Sequence, residues 1–474
     1  MSPDSISLSE VSIDPRIALN IPMNIASRSG AIAFARVEDQ IFVAAKKSTY
    51  KTVASVFAKY LPGECSIIVE VAEDEEISES IRSIYGKKQV LAEVSDNEES
   101  KAMIIVSKIL DSAAISGASD IHINPDDSDC ICSFRVDGVI QEHETYAIDE
   151  HQKVVSRIKV LADLDISERR IPQDGKFRYQ APNFERPIDV RVATIPTLKG
   201  EKITLRLIGA LDLPESFSQL GMSEEISRQL EDSLNLSQGM IVVTGPTGSG
   251  KSTTLYTCLQ KLSRRKEFSI ISLEDPVEYE IEGVTQVSID HENTSFSNAL
   301  RSCLRHDPDV LLVGEIRDKE TAEIAIRAAL TGHLVLSTLH TNSAAGTPER
   351  FIDMGVADYL ISSTLSMVIS QRLVRGLCDK CLEATTCDVF EKSFKASGCK
   401  YCKGSGFKTR SGIFESLRVG TEIAEAINTD SRESSISSLM KEHGMPSIWD
   451  DAKNKVQSGK IDSKTALRAV GARA

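Results

Sequence analysis

One segment of the chain combines the residue types that hold phosphate groups. Residues 245–252 follow the pattern G-x-x-x-x-G-K-S. The glycines let backbone N–H groups turn inward toward phosphate oxygens, the lysine supplies a movable positive charge, and the serine hydroxyl is placed to bind Mg²⁺. The pattern predicts a site for a nucleotide and Mg²⁺ that consists of Gly245, Pro246, Thr247, Gly248, Ser249, Gly250, Lys251, Ser252 and Thr253.

Reactive side chains directly follow three apolar runs further along the chain: Glu274 with Asp275, then Glu315, then His340. Phosphoryl transfer to water needs an oriented nucleophile and cations near the phosphate more than it needs covalent chemistry. We therefore expect Glu315 to orient the water, Glu274 and Asp275 to hold Mg²⁺ through water or to share the base role, and His340 to sense the γ-phosphate. A helix cap or salt bridge at Glu274 and Asp275, and a structural role for His340, are the alternatives.

Four cysteines form two C-x-x-C pairs, Cys378 with Cys381 and Cys399 with Cys402, and 17 residues separate the pairs. This spacing is typical of a tetrahedral zinc site. A redox pair would occur once beside a thioredoxin-like unit, and secreted-type disulfides conflict with the absence of a signal peptide. We expect a structural zinc clip with Cys387 as a spare thiol. A zinc ribbon that binds nucleic acid is the competing interpretation.

The elements around the phosphate loop fit a parallel α/β sheet. An apolar run at 240–244 precedes the loop, and Leu255, Cys258, Leu259 and Leu262 follow it at helical spacing. Parallel sheets bind ligands outside the carboxyl ends of their strands, so the acidic and histidine side chains should converge on the loop. Helices between the strands are predicted by Asp318 as an N-cap and by Gly332 as a stop.

Composition limits the possible classes of function. The chain has 474 residues, 41% hydrophobic and 26% charged, as expected for about three globular domains. Its 55 basic against 69 acidic residues give a net charge of −14, which opposes nonspecific attraction to nucleic acid or anionic lipid. The chain has no apolar run of about 18 residues and its first residues do not resemble a signal peptide. We expect a cytoplasmic protein that binds no nucleic acid and contacts a membrane only through partner proteins.

Changes in sequence pattern divide the chain into a small α+β N-terminal docking domain over 1–94, a second α/β domain over 101–208, a linker over 209–221, and a nucleotide domain over 222–474. The last of these includes the zinc insertion at 378–402 and a helical C-terminal part. Residues 95–100 are polar and predict another linker, followed by a helix over 101–116. In the second domain, Cys130 and Cys132 alternate with other residues of a strand, which favours a place in the core over a metal site.

Six segments together resemble the cytoplasmic assembly ATPases of type II secretion and type IV pilus systems. The resemblance runs from about residue 15 to the C-terminus. Its most specific segments are ASDIHINP at 118–125, LDISERRIPQDG at 164–175, the loop at 245–252, EDPVEY at 274–279, GEIRD at 314–318 and TGHLVLSTLHTN at 331–342.

This resemblance implies a RecA-like P-loop nucleotide domain, a PAS-like second domain and a hexameric motor that hydrolyses ATP. It places Glu274 in the family's Asp box, Glu315 in its Walker-B-like motif, and His333 and His340 in its His box. It also implies that Arg191 and Arg206 reach the γ-phosphate from the second domain, which couples hydrolysis to domain closure; ion pairing on the strand face is the alternative. The implied partners are inner-membrane platform and anchoring proteins that hold the motor at the membrane.

Two departures from the family pattern matter. The N-terminal region matches only the latter part of the family's first domain and lacks its cyclic-dinucleotide motif. The cysteine insertion resembles the secretion and pilus-extension branches, since pilus-retraction relatives lack it, but its spacer is short for the secretion type. The branch therefore stays open, and a nucleic-acid or conjugation-type P-loop motor is the alternative function.

Overall fold

The computed structural model describes residues 5–11, 13–61, 65–85, 98–136, 138–181, 184, 187–209, 213–289 and 294–471. The chain divides into two compact units, which are described separately below. The first comprises Met1–Asp212 with Ala396–Lys408, and the second comprises Leu213–Lys395 with Thr409–Ala474. Within the described residues, no helix has the length and apolar character needed to cross a membrane.

The N-terminal part of the first unit is a three-stranded sheet covered by short helices. Its elements are α1 (Pro15–Ala18), α2 (Met23–Ser29), β1 (Ala31–Val37), β2 (Gln40–Ala45), α3 (Tyr50–Phe57), β3 (Ser66–Val71) and α4 (Asp74–Tyr85). Strands β1 and β2 form an antiparallel hairpin, and β3 pairs with β2 in parallel. Helix α4 begins in an acidic run, where negative charge suits the N-terminal end of the helix dipole, and it buries Ile77, Ile81 and Ile84.

The rest of the first unit is built on a six-stranded antiparallel sheet in the order β6-β5-β4-β9-β8-β7. Its elements are α5 (Glu98–Ile115), β4 (Asp120–Pro125), β5 (Asp129–Val136), β6 (Val139–Ala147), α6 (Ile148–Leu161), β7 (Gln173–Tyr179), β8 (Ile188–Thr197) and β9 (Gly200–Ile208). Residues of α5 and α6 share one apolar core with the sheet. Cys130 and Cys132 are fully buried in that core, as predicted.

Helix α5 begins at Glu98, so the linker predicted over 95–100 is wrong at its last three residues. Residues 95–97 of that linker, and residues 210–212 of the linker predicted over 209–221, lie outside the described residues. The domain boundaries at 94, 101, 208 and 222 stay predictions.

The second unit contains a seven-stranded sheet in the order β12-β11-β13-β14-β10-β15-β18. The strands from β10 onward are β10 (Gly239–Thr244), β11 (Ile270–Glu274), β12 (Thr285–Ser288), β13 (Val310–Val313), β14 (Leu334–Leu339), β15 (Leu365–Leu377), β16 (Leu382–Thr385), β17 (Ser393–Ala396) and β18 (Phe407–Arg418). The neighbours from β12 to β15 are parallel. Strands β10, β13 and β14 are buried on both faces, which explains their continuous apolar sequence.

The sheet separates two apolar clusters and is covered on both faces by helices. They are α7 (Glu224–Leu234), α8 (Lys251–Ser263), α9 (Phe296–Cys303), α10 (Lys319–Leu330), α11 (Gly346–Asp353), α12 (Asp358–Thr364), α13 (Thr421–Thr429), α14 (Glu433–Glu442), α15 (Ile448–Gln457) and α16 (Ser463–Val470). Asp318 caps α10 by accepting a hydrogen bond from the backbone N–H of Thr321, as predicted. Because β10, β11, β13 and β14 are parallel, their carboxyl ends lie along one edge of the sheet.

Candidate functional site

The phosphate loop joins the end of β10 to the start of α8 at that edge. Gly245, Gly248 and Gly250 have φ angles of 142°, 76° and 87°, in the region that favours glycine. At Gly245 the requirement is also steric, since a Cβ there would lie 2.4 Å from the carbonyl oxygen of Gln371. The loop therefore has the backbone geometry that the sequence pattern predicts.

Lys251 is held over the loop by two backbone carbonyl groups. Its Nζ donates hydrogen bonds to the oxygens of Gly245 and Pro246, at 3.0 and 3.1 Å. Burial lowers the pKa of Lys251, whereas the negative charge of Glu315 opposes this shift and Arg372 adds to it. From this position the ammonium group can donate to phosphate oxygens bound in the loop.

Gln371 on β15 supports the loop from beneath, and sequence reasoning missed it. Its Nε2 donates to the carbonyl oxygen of Ser249 at 2.7 Å, and its Oε1 accepts from the hydroxyl of Thr254 at 2.8 Å. The side chain is buried, with 2% of the residue exposed. The strand sequence carried little indication of this role, because Gln371 stands between two other polar residues, Ser370 and Arg372.

Glu315 lies just beyond β13, beside the guanidinium of Arg317 and the imidazole of His340. Its carboxylate is 2.6 Å from Arg317 Nη2 and 3.7 Å from His340 Nε2. The structure therefore brings Lys251, Glu315 and His340 to the same edge of the sheet, and it adds Arg317, whose role sequence reasoning missed. Arg317 follows Glu315 by two residues within the GEIRD segment, so the spacing alone did not show that the two side chains meet.

Glu274, at the end of β11, is enclosed by hydrogen-bond donors. It accepts from the Tyr256 hydroxyl, from the Ser272 hydroxyl at 2.5 Å and from Gln286 Nε2 at 3.2 Å, and only 4% of the residue is exposed. Burial and the Glu274 charge raise the pKa of Tyr256 well above its usual range, so this phenol stays a donor. Three donors around one carboxylate favour Glu315 over Glu274 for orienting water, and a catalytic role for Glu274 stays a prediction.

The two histidines of the segment 331–342 lie at opposite ends of β14. His333 precedes the strand and its Nδ1 lies 2.9 Å from the carbonyl oxygen of Ala328, whereas His340 follows the strand beside Glu315. The two histidines are seven positions apart along the extended strand, which corresponds to about 23 Å at 3.3 Å per residue. Only His340 of this pair therefore lies at the edge that holds the loop.

Arg191 and Arg206 belong to the first unit, where they lie directly opposite each other on β8 and β9. Arg206 Nε donates to Asp120 Oδ1 at 3.0 Å, and about two thirds of the Arg206 side chain is exposed. The structure brings these two arginines together on one sheet face. Their action on a phosphate stays a prediction.

The four cysteines of the two C-x-x-C pairs form one cluster. The Sγ atoms of Cys378, Cys381, Cys399 and Cys402 all lie within 4.8 Å of one another. The Cys399 and Cys402 sulfurs are 3.8 Å apart, the separation of about 3.8 Å that Zn–S bonds of about 2.3 Å give in a tetrahedron. The backbone N–H groups of Cys399 and Gly406 point at the Cys402 sulfur, at 3.1 and 3.2 Å. The predicted cluster is confirmed, and its donor set fits a zinc ion.

The second cysteine pair is anchored to the N-terminal sheet within the first unit. Lys400 forms an ion pair with Glu70, whose side chain is 5% exposed, and lies 5.8 Å from the ring centroid of Phe42. Lys403 Nζ donates to the carbonyl oxygen of Ile13 at 3.3 Å. The segment of the second cysteine pair therefore supplies Lys400 as a cation for the buried carboxylate of Glu70, which would be destabilising without a partner.

Comparison with known proteins gives consistent matches. Residues 95–468 match the family model described as "Type II/IV secretion system protein". The chain is 38% identical over 419 residues to "Type II secretion system protein E" of Pseudomonas aeruginosa, which covers 85% of this chain and 83% of that protein. It is 39% identical over 388 residues to "Type II secretion system ATPase E" of Vibrio cholerae, with 79% and 76% covered. Among solved structures, that of the pilus retraction motor PilT with bound ADP is 27% identical to this chain and has a TM-score of 0.55. The match covers 77% of this chain and 97% of that one.

Proposed function

Because this chain belongs to the family of type II/IV secretion system proteins, we propose that it is an ATP-hydrolysing motor that powers assembly of a pilus or pseudopilus. The observation that carries this proposal is the edge of the parallel sheet where the phosphate loop, Lys251 and Glu315 lie together. The relatives named above belong to type II secretion systems, at higher identity than the retraction motor. This difference separates the chain from the retraction motor, and the proposal covers both secretion and pilus extension.

Nucleotide binding follows from the geometry of the loop. The backbone N–H groups of residues 247–252, at the N-terminus of α8, would bind the β- and γ-phosphates, and Lys251 adds a positive charge. Ser252 is the first serine of α8 and would hold Mg²⁺ through its hydroxyl, with Thr253 beside it. When bound, Mg²⁺ neutralises charge on the phosphate oxygens.

Hydrolysis then requires a water molecule held in line with the γ-phosphate. Glu315 is partly exposed, at 20% of its side chain, and can accept a hydrogen bond from that water. Arg317 and His340 flank the carboxylate and fix its orientation. This arrangement makes Glu315 the water-orienting residue of the proposed reaction.

The first unit supplies the remaining positive charge in this proposal. Arg191 and Arg206 stabilise the charge that develops on the γ-phosphate, as arginine fingers do. We propose that the motor is a homohexamer whose assembly organises this step, located on the cytoplasmic side of the inner membrane and attached through platform and anchoring proteins. In the cysteine cluster, Zn²⁺ would act as a structural clip.

The proposal is tested by Glu315→Gln, which keeps the shape of the side chain but removes the carboxylate. We expect ATP affinity to stay within about twofold and turnover to fall by about 100-fold or more, because a water-orienting group contributes that much. Glu323→Gln on α10 is the matched control, since that carboxylate pairs with Lys319 on the helix surface. Turnover close to that of the unmodified protein would remove Glu315 from this role and favour Glu274.

A further inference from the structure

One row of charged side chains crosses the six-stranded sheet of the first unit. Directly opposite residues on β5, β4, β9, β8 and β7 are, in order, Arg135, Asp120, Arg206, Arg191 and Lys176. Directly opposite residues of antiparallel strands place their side chains on the same face, with Cβ atoms about 5 Å apart. The row therefore presents four cations and one carboxylate on a single face.

Asp120 is the acidic member of this row, and it contacts both arginines beside it. Its Oδ1 accepts from Arg206 Nε at 3.0 Å, and its Oδ2 lies 3.5 Å from Arg135 Nε. The Ser119 hydroxyl donates to the same Oδ2 at 2.9 Å. Only 10% of the Asp120 side chain is exposed, compared with 65% of the Arg206 side chain. The buried carboxylate of Asp120 therefore anchors the exposed guanidinium of Arg206.

The atom by which Arg206 is held decides what the guanidinium can still do. Of its five N–H donors, the bond to Asp120 uses the one on Nε. The four N–H groups on the two terminal nitrogens are not used by that bond, and these are the groups that form paired hydrogen bonds with phosphate. A bidentate bond from a carboxylate to the terminal nitrogens would instead have blocked them.

Arg135 is held differently, because it is tied at two points. Its Nε faces Asp120, and its Nη1 donates to the carbonyl oxygen of Gly138 at 3.1 Å. Arg135 therefore fixes Asp120 from the side of β5, while Arg206 is fixed by Asp120 on the side of β9. Arg135 therefore restrains Asp120, and Asp120 in turn restrains Arg206.

We infer that Asp120 is the positioning residue that orients Arg206 for a phosphate group of the nucleotide. Asp120 has this role only if Arg206 acts on the phosphates, as proposed above. Since a fixed guanidinium plane matters for the transition state more than for initial binding, loss of Asp120 should lower kcat and leave KM for ATP nearly unchanged.

The test compares Asp120→Asn, Arg206→Ala and the double variant in steady-state ATPase assays of the full-length protein. Asp120→Asn keeps the size of the side chain and an oxygen acceptor but removes the charge. We expect kcat to fall about tenfold in Asp120→Asn and KM to stay within twofold. The double variant should be no slower than Arg206→Ala alone, because Asp120 acts through Arg206.

Asp189→Asn is the matched control. Asp189 lies on the same sheet and pairs with Arg178 Nε at 3.1 Å, in the same geometry but with an arginine outside the row. The control should keep normal kcat. The positioning role would be overturned if the fold-losses of kcat in Asp120→Asn and Arg206→Ala multiplied in the double variant. It would also be overturned if Asp189→Asn lost as much kcat as Asp120→Asn.

Two outcomes separate this inference from the proposed function. Normal hydrolysis by Arg206→Ala would remove the arginine from catalysis, and the role of Asp120 with it. A strong loss of kcat in Arg206→Ala together with normal kcat in Asp120→Asn would overturn only the role of Asp120. If Asp120→Asn does not fold, Arg206→Lys tests the same contact, because lysine has no Nε donor at that position. It should be as slow as Arg206→Ala, and near-normal kcat in Arg206→Lys would overturn the inference.

Discussion

The buried amide of Gln371 offers a quantitative test of how the phosphate loop is held. Gln371→Leu keeps a similar volume but removes both hydrogen bonds, to the Ser249 carbonyl and from the Thr254 hydroxyl. The hydroxyl lies 3.4 Å from the carbonyl oxygen of Gly250, so it has a second acceptor, and only the loss at Ser249 is counted. A buried polar group without its partner costs about 1–3 kcal/mol. If ordering the loop is required for binding, nucleotide affinity should fall about 5- to 150-fold.

The measurement is equilibrium binding of a fluorescent ATP analogue, together with thermal unfolding to confirm that the variant is folded. Gln229→Leu on α7 is the matched control, because Gln229 accepts its hydrogen bond from Ser416 rather than from the loop. We expect the control to bind nucleotide normally. Affinity within twofold in folded Gln371→Leu would refute the view that this amide orders the loop.

Two further predictions concern the metal cluster and the loop glycines. Purified protein should contain about one zinc per chain by elemental analysis, and the double change Cys378→Ser/Cys402→Ser should remove it, whereas Cys387→Ser should not; full metal content in the double variant would exclude the clip. Gly245→Ala should abolish measurable nucleotide binding because its Cβ would lie 2.4 Å from a backbone oxygen, whereas at Gly248 no described heavy atom lies within 4 Å of a Cβ. Gly248→Ala should therefore show only the smaller effect of about 1–3 kcal/mol expected for backbone strain, and equal binding by the two variants would contradict this steric argument.

Features carried by short stretches of sequence were predicted well. The strand, loop and helix around Lys251 follow from an apolar run, a glycine pattern and helical spacing, all within about 25 residues. The cysteine cluster was equally accessible, since a metal constrains residue type and spacing together. The convergence of Glu315 and His340 on one edge also followed, because parallel strands with apolar sequence place their ends together.

Features that depend on contacts between distant segments could not be predicted. Gln371 meets Ser249 across 122 positions of sequence, and nothing in a single strand indicates which loop lies above it. The enclosure of Glu274 depends on Tyr256 and Gln286, which come from two different elements. Sequence reasoning therefore identified the residues that are able to do chemistry, but not the side chains that hold them.

The charged row of the first unit shows this limit most clearly, because it depends on strand register. A shift of one residue in the pairing of β4 with β9 would move one strand's side chains to the opposite face and separate Asp120 from Arg206. In the observed register, Asp120 partly neutralises Arg206 and Arg135, whereas Arg191 lies between Arg206 and Lys176, two further cations. Like charges placed directly opposite are destabilising. The sheet tolerates this repulsion on an exposed face, where an approaching phosphate would relieve it, so the same electrostatic arrangement that costs stability makes Arg191 and Arg206 suitable for binding an anion.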